Sequence, residues 1–129
     1  MPEFGSSSLQ KLSTVHPDLQ RLFLEVVKHF DCAVIEGHRN EIDQNRAFDE
    51  GHSKKRWPDG KHNSIPARAI DVGPYPLNWA DKERFYFFAG FVKATAIQMG
   101  INIRLGCDWN SNNDFKDETF IDAPHFELI

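Results

Sequence analysis

Ala69-Ile70-Asp71-Val72-Gly73, stopped by Pro74 and Pro76, is the stretch on which the reading of this chain turns. Its period-two alternation predicts a strand, and the prolines that follow cannot continue one. Ala69, Asp71 and Gly73 fall on one face, Ile70 and Val72 on the other. Pro124 to Ile129 repeats the pattern: His125 and Glu127 share a face, Phe126 and Leu128 the opposite one. Two strands that each pair an apolar face with one of small or coordinating groups imply a sheet whose apolar side packs on helices. Its other side then floors a cleft on which Asp71 and His125 converge.

The flanking segments supply the helices. Ser6 to Thr14 predicts a short one, with serines available as caps. Pro17 suits the first turn of a second, whose Leu19, Leu22, Phe23, Val26, Val27 and Phe30 form an apolar stripe ending near His29. Cys32 to Glu36 predicts a strand closed by Gly37. Glu41 to Glu50 predicts a third helix with Gly51 as its stop. Residues 52–67, with Pro58, Gly60 and Pro66, predict a long loop of the kind that often carries function. Asp81 to Met99 predicts the longest helix, with Phe85, Phe88, Ala89, Val92, Ala96 and Met99 on one face and Gly100 as its cap. Asn102 to Leu105 predicts a further strand. The elements do not alternate as βαβ units, so the expected fold is α+β. A small, mainly antiparallel sheet of about four strands carries helices on one face and the cleft on the other.

At 129 residues, 40% hydrophobic and 26% charged, the chain suits one domain spanning 1–129. No apolar run reaches the length of about 18 residues that a membrane helix needs. The N-terminus lacks the basic and apolar regions of a signal peptide, so the expectation is synthesis in the cytoplasm as a monomer, with release by another agent if the substrate lies outside. The net charge of −4 argues against nucleic acid as a partner. Cys32 and Cys107 make neither a disulfide framework nor a CxxC metal pair and are expected to be buried thiols. Residues 52–68 are basic (Lys54, Lys55, Arg56, Lys61, Arg68) and residues 108–122 acidic (Asp108, Asp114, Asp117, Glu118, Asp122), two loops of opposite sign expected to be solvated.

Asp71 and His125 alone do not make a metal site, and the residues leave the third ligand open. His16 and His29 flank the second helix and are expected at the surface. His38 follows the first strand, and His52 and His62 share the long loop. A separate pattern, Asp108, Asn110, Asn112 and Asp114 at alternating positions, resembles the front of a calcium loop. It has Asn113 where the glycine belongs and Thr119 where the closing glutamate belongs, so a polar turn is the plainer reading.

Four motifs occur in order: Glu36-Gly37-His38-Arg39, Lys61-His62-Asn63-Ser64-Ile65-Pro66-Ala67-Arg68-Ala69-Ile70-Asp71-Val72, Gly106-Cys107-Asp108-Trp109, and Asp122-Ala123-Pro124-His125-Phe126-Glu127-Leu128. Together they resemble the zinc D-Ala-D-Ala carboxypeptidase and L-alanyl-D-glutamate endopeptidase family, most of all its small phage endolysin branch. The resemblance runs from about Leu9 to Ile129. It implies the D-Ala-D-Ala carboxypeptidase/hedgehog-like fold, a peptidoglycan stem peptide as substrate, and zinc on His62, Asp71 and His125. It also implies Asp122 as general base and Arg39 as the residue that contacts substrate; Glu127 is either the rival base or a carboxylate that faces outward or orients a zinc ligand. Glu36, whose place strand parity leaves open, is expected to pair with Arg39 or to contact substrate; Gln44 is expected on a solvated face of the third helix, with an approach to the cleft as the alternative. An endopeptidase, a carboxypeptidase and a non-catalytic wall-binding module with the same zinc fold are the functions to separate. Two departures stand out. His62 lies nine residues before Asp71 where many members have seven, which keeps His52 in play, and Gly60 stands where many have serine.

Two imidazoles and a carboxylate leave a tetrahedral zinc with one open position, the pattern of a catalytic rather than a structural site.

Overall fold

The computed structural model describes residues 1–129. Four α-helices, α1 (Ser6–Leu12), α2 (Pro17–His29), α3 (Glu41–Asp49) and α4 (Lys82–Gln98), accompany four strands: β1 (Cys32–Glu36), β2 (Ala69–Pro74), β3 (Ile103–Leu105) and β4 (His125–Leu128). The strands form one sheet in the order β1-β2-β4-β3, and every pairing is antiparallel. The α+β expectation holds, and the helices end a residue or two sooner than the pattern suggests. A single 3-10 turn at Phe115–Asp117 has no counterpart in the sequence reading.

Local chemistry explains the helix boundaries. Asn40 Oδ1 accepts from Asp43 N at 2.9 Å to start α3, and Asp81 Oδ1 accepts from Arg84 N at 3.3 Å to start α4. Gly51 and Gly100, at φ 79° and 72°, supply the left-handed backbone beyond α3 and α4. Two caps differ from expectation. His16 is not a plain surface residue, because its Nδ1 accepts from Asp18 N at 3.0 Å and caps α2. The serines do not cap α1, whose N-cap is Gly5; Ser8 Oγ instead accepts from Val34 N at 3.0 Å and ties α1 to β1.

The sheet's apolar face carries Val34, Ile70, Val72, Phe126, Leu128, Ile103 and Leu105 into the main cluster with Leu19, Leu22, Phe23 and Val26 of α2 and Phe88, Ala89 and Val92 of α4. Phe126 sits at its centre, edge-on to Phe23 at 5.3 Å and to Phe88 at 6.1 Å. Burying such a side chain contributes about 1.5–3 kcal/mol. Both cysteines are buried and free, and burial lifts the Cys32 thiol to about 12, which leaves it inert. No helix is long and apolar enough to cross a membrane.

Candidate metal centre and cleft

Asp71 lies opposite His125 in the β2–β4 register, so both side chains project side by side from the face away from the helices. His62 reaches them from the loop between α3 and β2. His62 Nε2 and His125 Nδ1 each stand 3.2 Å from the same oxygen, Asp71 Oδ1, and the ligand atoms of all three residues lie within 4.8 Å of one another. His52 is exposed on the cleft rim, and His38 Nε2 lies 3.3 Å from the Asn63 carbonyl. The structure thus gathers His62, not His52 or His38.

Protons decide what this cluster can hold. His62 Nδ1 is 2.7 Å from the Gly37 carbonyl, which can only accept, so Nδ1 carries the hydrogen and Nε2 the lone pair. That Nε2 is buried without a hydrogen-bond partner, facing a carboxylate. His125 Nε2 lies 2.8 Å from Glu127 Oε1, so its hydrogen points there and Nδ1 turns toward Asp71. Lone pairs facing a carboxylate need a cation between them, and a divalent metal fits this donor set. Without a metal, a second proton on His125 fills the role. Burial opposes it, but Asp71 and Glu127 on either side raise the imidazole to about 9. Burial likewise works against the Asp71 anion, yet the His62 and His125 imidazoles outweigh it and hold the carboxyl well below the usual range.

Asp122 Oδ2 is 3.9 Å from His125 Nδ1. A tight connection sets this approach: Asp122 N donates to the Gly106 carbonyl and Gly106 N to the His125 carbonyl, both at 2.8 Å. A side chain at Gly106 would collide with the Asp122 carbonyl and come within 2.7 Å of His125 Cβ, so only glycine allows the two to meet. Burial first, and then the Asp71 charge, raise the Asp122 carboxyl to about 6 against the pull of His125, His62 and Arg39.

Arg39 grips Glu36 in a fork, Nε to Oε1 at 3.0 Å and Nη2 to Oε2 at 2.8 Å, and its Nη2 lies 3.7 Å from Asp71 Oδ2. Burial disfavours the guanidinium's charge, but Glu36, Asp71 and Asp122 raise its pKa further. Strand parity alone puts Glu36 with Val34, toward the core. A register shift between Val34 and Glu36 brings Glu36 opposite Asp71 instead, beside the cleft.

Gln44 overturns the expectation of a solvated residue. It is 1% exposed. Its Oε1 accepts from Arg39 Nη1 and from Asn63 Nδ2, each at 3.0 Å. Its Nε2 donates to Ser53 Oγ at 3.0 Å and to the Lys55 carbonyl at 2.6 Å. One amide thereby ties α3, the long loop and Arg39 together. Gly60 has a reason in the same network: a Cβ there would stand 2.7 Å from Asn63 Oδ1 and 3.0 Å from Gln44, so serine does not fit.

The cleft encloses about 400 Å³. The two oppositely charged loops expected to be solvated form its walls: Lys54 and Lys55 stand on one side, Glu118 and Phe120 on the other, and Lys54 Nζ sits 5.0 Å above the Phe120 ring. Trp109 and Arg104 line it too, and the sequence reading gave neither a role. Trp109 packs 5.3 Å from the His125 ring and donates from Nε1 to the Phe120 carbonyl at 2.6 Å. Arg104 was legible by alternation, since Ile103 and Leu105 point into the core. Glu127 is fully engaged: besides His125, its Oε2 faces Lys61 at 3.3 Å and Arg104 at 3.5 Å. Burial raises its carboxyl, but His125 and Lys61 outweigh this and lower it.

The alternating stretch Asp108, Asn110, Asn112, Asp114 folds on its own amides. Asp108 accepts from Asn112 N at 3.2 Å and Asn113 N at 2.8 Å, Asn112 Oδ1 accepts from Asp114 N at 2.9 Å, and Asp114 Oδ1 from Lys116 N at 2.9 Å. Asn113 sits at φ 67°, the left-handed conformation that the missing glycine would take. Lys93 Nζ donates to its Oδ1 at 2.7 Å.

Comparison with known proteins adds to this geometry. A family model described as phage L-alanyl-D-glutamate peptidase matches residues 2–129. The L-alanyl-D-glutamate peptidase of Escherichia phage T5 is 30% identical over 135 residues, covering 98% of this chain and 98% of that protein. Among solved structures, the L-Ala D-Glu endopeptidase ChiX of Serratia marcescens aligns with a TM-score of 0.72 at 24% identity, over 98% of this chain and 90% of that one. At that identity the likeness concerns the fold.

Proposed function

The chain belongs to the phage L-alanyl-D-glutamate peptidase family, and from that premise we propose that it cleaves the L-alanyl-D-glutamate bond of the peptidoglycan stem with a zinc ion held by His62, Asp71 and His125. It is a peptidoglycan-cleaving enzyme, in keeping with relatives named L-alanyl-D-glutamate peptidases. The observation that carries the metal reading is the meeting of two imidazole lone pairs on one carboxylate oxygen, His62 Nε2 being buried with no other partner. Two imidazole nitrogens and one carboxylate oxygen are a donor set that catalytic zinc takes and that iron(II) also takes, and metal replacement in the apo-protein separates the two.

Zinc held there supplies Lewis acidity, which polarises a carbonyl and makes water acidic near neutral pH. Asp122, half-buried beside His125, takes the proton from the attacking water and passes it to the departing amine. Burial raises this carboxyl in the metal-free protein, which favours its taking up a proton. Arg39 faces the same point and offers its guanidinium to the oxyanion that develops on the scissile carbonyl. Glu36 and Gln44 hold Arg39 in place from two sides. Glu127 keeps the His125 ring turned so that Nδ1 faces the site, and with its oxygens so engaged it is a poor rival to Asp122 as base. The same reading takes residues 1–129 as one catalytic domain acting as a monomer on the wall of a phage host.

The test is incubation of purified protein with peptidoglycan, with and without a chelator, followed by mass spectrometry of the new termini. New N-terminal D-glutamate that disappears with chelation is the expected result. Release of D-alanine would mark a carboxypeptidase instead, and no new termini would leave a wall-binding module.

A further inference from the structure

Resting on the peptidase reading above, we propose that Arg104 is the specificity-determining residue of the cleft, and that it takes the α-carboxylate of the residue on the amine side of the cleaved bond. Arg104 projects from β3 on the same face as Glu127, its partner in the register, and it lines the cleft. Along β4, Glu127 lies two residues from His125, so the Arg104–Glu127 row sits roughly 7 Å from the Asp71–His125 row. A peptide with its scissile carbonyl at the metal centre carries its next α-carboxylate three bonds further on, on the carbon that bears the scissile nitrogen. Three bonds span under about 4 Å, and a charge-assisted hydrogen bond of about 2.8 Å from the guanidinium covers the rest.

The cation is also unspent. Arg104 Nε is buried without a hydrogen-bond partner, and the one side-chain contact of its Nη1 is a long 3.5 Å approach to Glu127 Oε2. Glu127 already receives His125 on one oxygen and Lys61 on the other. Lys61 is committed elsewhere as well, donating to the Leu128 carbonyl at 2.5 Å. Both cations beside Glu127 have 37% of the side chain exposed and line the cleft, but Arg104 alone keeps a planar fork of donors so little committed. Such a fork matches a carboxylate in two parallel hydrogen bonds. A neutral carboxamide in the same place loses the charge and turns an N–H toward the guanidinium.

The experiment compares two N-acylated stem peptides, one with D-glutamate bearing a free α-carboxylate and one with D-isoglutamine bearing an α-carboxamide. The metal-loaded wild-type protein is expected to favour the acid by about ten- to a hundredfold in kcat/KM. Arg104→Gln is expected to bring that ratio close to one by slowing the acid alone, mostly through KM, while Arg104→Lys keeps part of it. Metal content and melting temperature show that each variant is folded, and if Arg104→Gln is not, the partial loss in Arg104→Lys carries the test. Equal slowing on both peptides would mean that Arg104 only props Glu127 and would overturn the assignment, as would a wild-type protein that treats both alike. Cleavage of neither peptide by wild type would instead remove the peptidase reading, and this assignment with it.

Discussion

Ile70 and Val72 leave β2 in one direction and Asp71 in the other, and the two faces of the sheet obey different rules. On the core side, contacts are numerous and none is indispensable in kind: a phenyl ring on Phe126 is held by shape and by exclusion of water. On the cleft side, contacts are few and each fixes a proton. The Gly37 carbonyl decides the tautomer of His62, and Glu127 decides that of His125. Stability belongs to the first face and chemistry to the second, and a substitution should move one without the other.

The largest expected effect tests that separation at its centre. His125→Ala should cost the bound metal and bring peptidase activity below detection; a purified variant that still holds about one metal per chain would falsify the ligand set. Asp122→Asn comes next. It should retain the metal and the melting temperature while kcat falls by about 10²–10⁴-fold. In the wild type, kcat/KM should decline as pH falls, because protonation of the Asp122 carboxyl, raised to about 6 in the metal-free protein, removes the base. A bound dication moves that limb to lower pH.

Phe126→Ala approaches from the other face. Truncating this ring should cost about 3–5 kcal/mol, read from urea unfolding, with kcat per folded molecule unchanged. If kcat falls as steeply as stability, the two faces are not separable. A smaller effect distinguishes them by pH. In chelated protein the His125 pKa is raised to about 9 from an ordinary 6.5, so the stability it contributes is full below about pH 6.5 and lost as pH rises through about 9. The melting temperature of chelated protein should fall across that window, while metal-loaded protein, with no such proton to lose, should stay level. The smallest concerns the 108–119 loop. Millimolar calcium should raise the melting temperature by only about a degree or two, since Lys93 and the loop's own amides already occupy its oxygens. A calorimetric scan with no shift would retire the calcium reading.

The contrast also explains what the sequence made legible. Alternation placed Asp71, His125 and Glu127 on one face, because both strands are regular and the apolar side is unbroken. The same rule leaves the place of Glu36 open, since an irregular register reverses its direction and leaves no compositional mark. Gln44 stays between solvent and cleft on the sequence because α3 has too weak an apolar stripe to say which side is buried; what buries it is the aperiodic loop that folds over it. His62 needed the family resemblance, for nothing in the loop's spacing distinguishes it from His52. Arg104 is reached by the same parity argument as Asp71, from a strand only three residues long.

The order of strands, β1-β2-β4-β3, has a consequence for how the molecule comes into being. During synthesis β2 and β3 emerge well before β4, yet neither pairs with the other; both wait for the strand between them. Closing the sheet therefore depends on contacts distant in sequence, which are slow to form. That late strand also brings His125. A nascent chain still short of it has neither a finished sheet nor a complete ligand set, so folding and enzymatic competence arrive in the same step. Until then, nothing leaving the ribosome can cut a peptide.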